Sequence, residues 1–221
     1  MKMGISKNRI NEMLSRNAGT TLVEMIVCFA LLAIFVTAAA SIIASTTNLY
    51  YQVKGETYSG QITDILMEKI ASEIEGAKYD DSEYKDTPKI GTQDGISYID
   101  LYNRSETHIR MCAQNNELLV YYYRINNTTD VNLNRDATIW KFDEKMYNGY
   151  KVEELMFIPG NEISTHKAKL SEYGFDADAV QYDNNIVLVL LAIDSGKYGT
   201  YRTVRPIKMY NVPTDYAWPV N

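Results

Sequence analysis

The chain has 221 residues, with 22 basic and 28 acidic side chains, a formal net charge of −6 and a pI near 5.0. This length holds a membrane anchor plus one domain with a real core. The acidic balance disfavours nucleic acid or an anionic lipid surface as a partner of the body as a whole. The two cysteines, Cys28 in an apolar run and Cys112 in a polar region, have neither the spacing nor the number of a metal site. Their settings also disfavour the roughly 7 Å Cα approach that a disulfide needs.

The first segment is basic: Lys2, Lys7, Arg9 and Arg16 face one acid, Glu12. Ala18-Gly19-Thr20-Thr21-Leu22-Val23-Glu24-Met25-Ile26-Val27 follows, and the chain stays apolar or small through Ala44. A run of about 20 such residues crosses a bilayer as a helix. Glu24 stands out in it, because a carboxylate at full depth costs on the order of 2.5–3.5 kcal/mol. The first basic residue beyond the run is Lys54, so the positive-inside bias keeps the N-terminus in the cytoplasm and sends the remainder outward. Tyr50 and Tyr51 fall where amphipathic rings favour the headgroup zone. Three plainer readings compete. The run is a secretory signal cut near Ala38-Ala39-Ala40, a simple single-pass anchor, or a buried helix of a soluble protein. Its length and its carboxylate speak against the first, and its lack of a polar face against the third.

From Asn48 to about Lys78 the chain continues in helical style, with Ile62, Leu66, Ile70 and Ile74 at helical spacing and Ile65 and Lys69 beside them. This predicts an amphipathic helix that packs its Ile stripe on a sheet. Gly55 and Gly60 are its candidate break points, each costing about 1 kcal/mol in a helix interior. A polar loop is expected over 79–93, holding Asp80, Asp81, Glu83, Asp86 and Pro88.

Strands are predicted over 96–102 and 107–113, then, after the turn Gln114–Glu117, over 118–125. Asn126 to Arg135 reads as a polar loop. Further strands are expected over 137–146 and 150–158, flanked by the turn chemistry of Asn148-Gly149 and Pro159-Gly160-Asn161. The apolar run 186–193 suits a central strand, and a turn at 194–197 leads into a last strand over 198–210. Short strands after one long helix predict an α+β fold: a long N-terminal transmembrane and amphipathic helix packed on an antiparallel β-sheet.

Gly19 followed by Thr-Thr-Leu-Val-Glu and a long apolar helix resembles the type IV prepilin signal, shared by pilins, type II secretion pseudopilins and competence pseudopilins. The resemblance implies cleavage between Gly19 and Thr20 by a prepilin peptidase, with possible N-methylation of Thr20. The family usually has phenylalanine at that position, so this chain departs from it there. Glu24 becomes the fifth mature residue, and in a filament it would pair with the Thr20 amine of a neighbouring subunit, a cation near neutral pH. Removing residues 1–19 leaves 202 residues with 18 basic and 27 acidic side chains, net −9. Four segments follow: a leader over 1–19, a transmembrane helix over 20–46, its amphipathic continuation over 47–78, and an extracytoplasmic β-rich domain over 79–221. Small residues Ala30, Ala33, Ala38, Ala39 and Ala40 would allow close helix packing. The implied partners are other pilin or pseudopilin subunits, the peptidase, an assembly platform protein and ATPase, and membrane lipid. Nucleic acid is possible for a competence pilus. The strand region, with Gly95-Ile96-Ser97-Tyr98-Ile99-Asp100 and Val152-Glu153-Glu154-Leu155-Met156-Phe157, looks like the larger minor pilins and J-type pseudopilins.

Little else reads as chemistry. His108 and His166 stand without cysteine partners or a paired-histidine spacing and read as a strand and a loop residue. No serine elbow or phosphate-cradling glycine loop is evident. Asp176 and Asp178 with nearby Asp183 read as a solvated loop, with a calcium loop the alternative. Arg202, Arg205 and Lys208 read as strand residues, with a local basic patch the alternative. The expectation is therefore a non-enzymatic minor subunit of a pilus-like filament, without cofactor or metal, serving secretion, adhesion and motility, or DNA uptake. It would start as a single-pass membrane protein with its C-terminal domain outside. The alternative is a membrane-anchored adhesin or receptor domain with no filament role.

Overall fold

A computed structural model describes residues 21–79, 87–105, 107–123, 137–179 and 181–219. The expected acidic loop residues Asp80, Asp81, Glu83 and Asp86, and the polar loop from Asn126 to Arg135, lie outside the described residues. The chain divides into two compact units, one up to Tyr51 and one from Gln52 onward. The first contributes the start of helix α1 (Leu22–Glu75). Neither Gly55 nor Gly60 interrupts that helix.

In the second unit α1 buries Ser59, Ile62, Thr63, Leu66, Met67, Ile70, Ala71 and Ile74, one stripe at steps of three and four residues. Leu66, Ile70 and Ile74 are fully buried, while Ile65 is 47% exposed. The two hydroxyls in the stripe stay satisfied: Ser59 donates to the Gly55 carbonyl at 3.0 Å and Thr63 to the Ser59 carbonyl at 2.8 Å. The helix ends at Glu75, short of the expected Lys78, because the Lys78 N–H donates to the Tyr102 carbonyl at 2.6 Å. The chain is thereby hooked to a sheet.

The fold is α+β with a long N-terminal helix and antiparallel strands, as expected, and the strands form two sheets rather than one. A five-stranded antiparallel meander contains β1 (Lys89–Gln93), β2 (Ile96–Tyr102), β3 (His108–Gln114), β4 (Glu117–Tyr123) and β5 (Ala137–Lys141). A three-stranded antiparallel sheet contains β6 (Lys151–Pro159), β7 (Ile186–Asp194) and β8 (Thr200–Lys208). The break lies after β5, where the strand expected to run on to Met146 gives way to a short helix α2 (Glu144–Tyr147). Asp143 caps it by accepting the Lys145 N–H, and Asn148 closes it in the left-handed conformation.

β1 occupies residues expected to be loop. Asp94 (φ 53°) and Gly95 (φ 79°) make the two-residue turn with both φ positive that suits hairpins, so Gln93 pairs with Ile96. Asn115 and Asn116 do the same between β3 and β4.

The inward faces of β2, β3 and β4 supply Ile99, Leu101, Ile109, Met111, Leu118 and Val120 to a core shared with the α1 stripe. β7 is central in its sheet and buried on both faces, which explains its unbroken apolar run. Val187, Val189, Leu191 and Ile193 join the α1 core, while Leu188 and Leu190 join a second cluster with Ile158, Ile163 and Leu170. Ile163 and Leu170 belong to a 3-10 helix (Gly160–His166) and helix α3 (Lys167–Glu172), which sequence periodicity did not reveal.

Tyr147 accepts a hydrogen bond from the buried Leu118 N–H at 3.1 Å, and burial pushes its hydroxyl pKa up to about 12, the hydrogen bond acting in the opposite sense. A raised folded pKa means the contribution is intact below about pH 10 and is lost as pH rises through the folded value. Tyr147→Phe should cost about 1–3 kcal/mol at neutral pH by orphaning that N–H. Urea unfolding in detergent measures it, and the mutant should lose less stability than wild type above about pH 10.

Candidate functional site: the carboxylate end of the apolar helix

Helix α1 opens at Leu22, and its most apolar 18-residue window, with mean hydropathy 2.8, has none of its residues buried within the chain. Leu22, Phe29, Ile34 and Phe35 are among the exposed side chains. Thr37 donates to the Ala33 carbonyl at 2.7 Å and Ser41 to the Thr37 carbonyl at 3.0 Å, so these hydroxyls need no water. The helix is long and apolar enough to cross a membrane.

Gly19 and Thr20, the expected cleavage residues, lie outside the described residues. Glu24 sits in the first turn, three residues beyond Thr21. The Thr21 N–H donates to Glu24 Oε2 at 2.8 Å, the Thr21 hydroxyl donates to the same oxygen at 3.2 Å, and the Glu24 N–H donates to Thr21 Oγ1 at 3.3 Å. This is a reciprocal capping box, and it gives Glu24 a role inside its own chain. Sequence reasoning missed Thr21, although the spacing Thr21-Leu22-Val23-Glu24 carries the signal. Both side-chain contacts use Oε2, leaving Oε1 for another donor. Cys28 is free and exposed along the same helix.

The other expected residues fall elsewhere. His108 is buried on β3, and its ring lies between those of Tyr102 and Tyr123 at 4.9 and 5.0 Å. Its Nε2 lies 3.3 Å from Asp100, while its Nδ1 is buried without a hydrogen-bond partner. Arg110 grips Asp100 with two hydrogen bonds of 2.7 and 2.6 Å and stacks over Tyr98 at 4.1 Å. Burial drives the Asp100 carboxyl upward, but the hydrogen bonds from Arg110 and His108 outweigh it and hold the group below the usual carboxylate range. Burial also raises the Cys112 thiol on the same strand face. With its carboxylate held by Arg110 and His108, Asp100 ties this cluster together on the outer sheet face.

Asp176 accepts the Asp178 N–H at 3.0 Å, and Asp178 is ion-paired with Lys167. Among the described residues no group of three or more His, Cys, Asp or Glu side chains could hold a metal ion. Arg205 pairs with Glu68 at 2.9 Å and Arg202 lies 3.8 Å from Glu153. Arg202 and Arg205 are three residues apart on β8, so they point to opposite sheet faces and build no shared patch.

A depressed carboxyl stabilises above its unfolded pKa of about 3.9, and that stability is lost as pH falls through the folded value. Asp100→Asn should therefore destabilise by about 2–4 kcal/mol at pH 7, where it strands Arg110. In chemical unfolding as a function of pH, the gap to wild type should shrink steadily below about pH 4. Compared with protein-family models, curated proteins and solved structures, the chain matches none.

Proposed function

We propose that this chain is a structural minor subunit, pilin or pseudopilin, of a type IV pilus-like filament for secretion, adhesion and motility, or DNA uptake. The supporting observation is Glu24: it heads an apolar helix whose most apolar stretch is covered by none of the described residues, and none of the described residues donates a hydrogen bond to its Oε1. In this reading a peptidase cuts after Gly19, and Oε1 accepts the Thr20 amine of an adjacent subunit. Oε2 meanwhile stays with Thr21. The helices pack through Ala30, Ala33, Ala38, Ala39 and Ala40, and the outward domain meets cargo or a surface. The protein does no chemistry of its own. A simple membrane-anchored binding domain explains the apolar helix equally well but gives Oε1 nothing to do.

Intact mass and terminal peptide mapping of the membrane fraction should find a chain that starts at Thr20. An uncut Met1 would leave the tethered domain, and a start at Ser41 would remove the anchor. Glu24→Val should keep membrane insertion but reduce incorporation into filaments at least about tenfold, the scale of losing one ~1.4 kcal/mol contact. Thr21→Val keeps the Glu24 carboxylate and removes its hydroxyl partner, so it should incorporate far better than Glu24→Val. Normal incorporation of Glu24→Val would sink the pairing.

A further inference from the structure

Three exposed lysines and three tyrosines gather in the second unit around the helical residues that follow its start at Gln52. Gly55 is buried there, and a side chain in its place would overlap the Tyr198 ring and Cβ at 2.8–2.9 Å, so the β7–β8 turn lies directly on the helix. Tyr58 stacks on Tyr150 at 6.3 Å, and Tyr150 has Tyr198, Tyr58 and Lys54 as electrostatic neighbours. Lys197 extends over the Tyr198 ring at 5.6 Å. Lys54 and Lys197 are exposed, and so is Lys151, which follows Tyr150. None of the three is in an ion pair within the described residues, whereas Arg202 and Arg205 on the adjoining strand are. Acids stand close by as well: exposed Glu56, Glu153, two residues past Lys151 and 3.8 Å from Arg202, and Asp194, which pairs in register with Lys151 and accepts the Gly196 N–H at 2.7 Å.

We propose that this rim of Lys54, Tyr58, Tyr150, Lys151, Lys197 and Tyr198 rests on the headgroup layer of an anionic membrane. Tyrosine rings beside unpaired lysines are the pairing that an interface favours, with rings among the headgroups and ammonium groups on lipid phosphates. The chain supplies the proximity. Lys54 is only ten residues past Ala44, the last residue of the apolar run, so the chain itself keeps the rim near any bilayer which that run crosses. Attraction between a lysine and lipid phosphates reaches across a Debye length of about 8 Å. The rim would hold the domain against the bilayer while the subunit waits in the membrane. This rests on the membrane-spanning part of the proposed function.

The test uses the full chain in nanodiscs of phosphatidylcholine, alone or with about a quarter phosphatidylglycerol, and follows amide hydrogen exchange at Lys197 and Tyr198. Exchange should be about 3–10-fold slower in the anionic discs, the scale expected of roughly one lysine–lipid contact near the surface. The difference should disappear in about 1 M salt and in the double variant Lys54→Glu/Lys197→Glu. Equal exchange in both lipids overturns the rim while leaving the anchor standing. Protection that ignores lipid charge but grows with protein concentration also overturns it, and marks a contact between copies. A chain that does not enter the discs overturns rim and anchor together. The salt response of the wild-type chain decides the matter even if the double variant misfolds.

Discussion

Two sheets that share no hydrogen-bonded ladder are held as one body by the stripe Ile62, Leu66, Ile70 and Ile74. Its side chains enter a single apolar cluster with Ile99, Leu101 and Ile109 from one sheet and Val187, Val189 and Leu191 from the other. Direct links between the sheets are few, such as the Val152 N–H on the Asn116 carbonyl and the Phe157 N–H on the Ser97 hydroxyl. Polar ties reinforce the helix at its margins. Lys69 reaches Glu73 and Tyr122, and Arg205 reaches Glu68. Losing one Ile or Leu from such a stripe costs about 2–5 kcal/mol in core proteins, more than any exposed ion pair returns. The fold therefore depends on how the helix presents its apolar side.

The same helix has one part covered by protein and an apolar part that is not. In the second unit the buried Ser59 and Thr63 back-bond to the helix, and so does the exposed Thr57, to the Val53 carbonyl at 2.8 Å. Thr37 and Ser41 make the same bonds although protein covers neither. Back-bonding leaves no free donor, which suits hydrocarbon, where an unsatisfied group costs several kcal/mol. The bond occurs in helices of either surrounding, so it permits a hydrocarbon setting without requiring one.

Legibility from sequence followed periodicity. The stripe at 62, 66, 70 and 74 and the apolar run 186–193 were readable because each repeats a simple pattern long enough to be distinctive. The two-sheet division was not, since it turns on Asp143 capping a four-residue helix, a signal of one side chain. Nor were the 3-10 helix and α3, whose apolar residues Ile163 and Leu170 are too sparse to show a period. β1 was lost to its polar composition, although Asp94-Gly95 announces the hairpin. At the carboxylate the reading took Glu24 as a charge in want of a neighbour and passed over Thr21 three residues before it. His108 was read as the strand residue it is, but its partnership with Asp100 and Arg110 was not legible, because strand alternation aligns the three only once the register is known.

Magnitudes now separate what Glu24 needs from what it can offer. A carboxylate at the bilayer centre costs on the order of 2.5–3.5 kcal/mol, and less toward an end. A capping box returns about 0.5–2 kcal/mol, and the helix N-terminus adds roughly 0.3–1 kcal/mol of favourable dipole. Those terms, all local, cover most of the cost for a lone subunit in the membrane, so a neighbouring cation is not required for storage. In the proposed filament, packing many helices together would change the balance, because it would strip the helix end of water and headgroups together. Oε2 is already committed to Thr21, and the unmet demand then falls on Oε1. A carboxylate satisfied when alone and under-satisfied when crowded would favour the one arrangement that brings it a cation. In that proposed arrangement the residue would act less as a membrane liability than as a register mark.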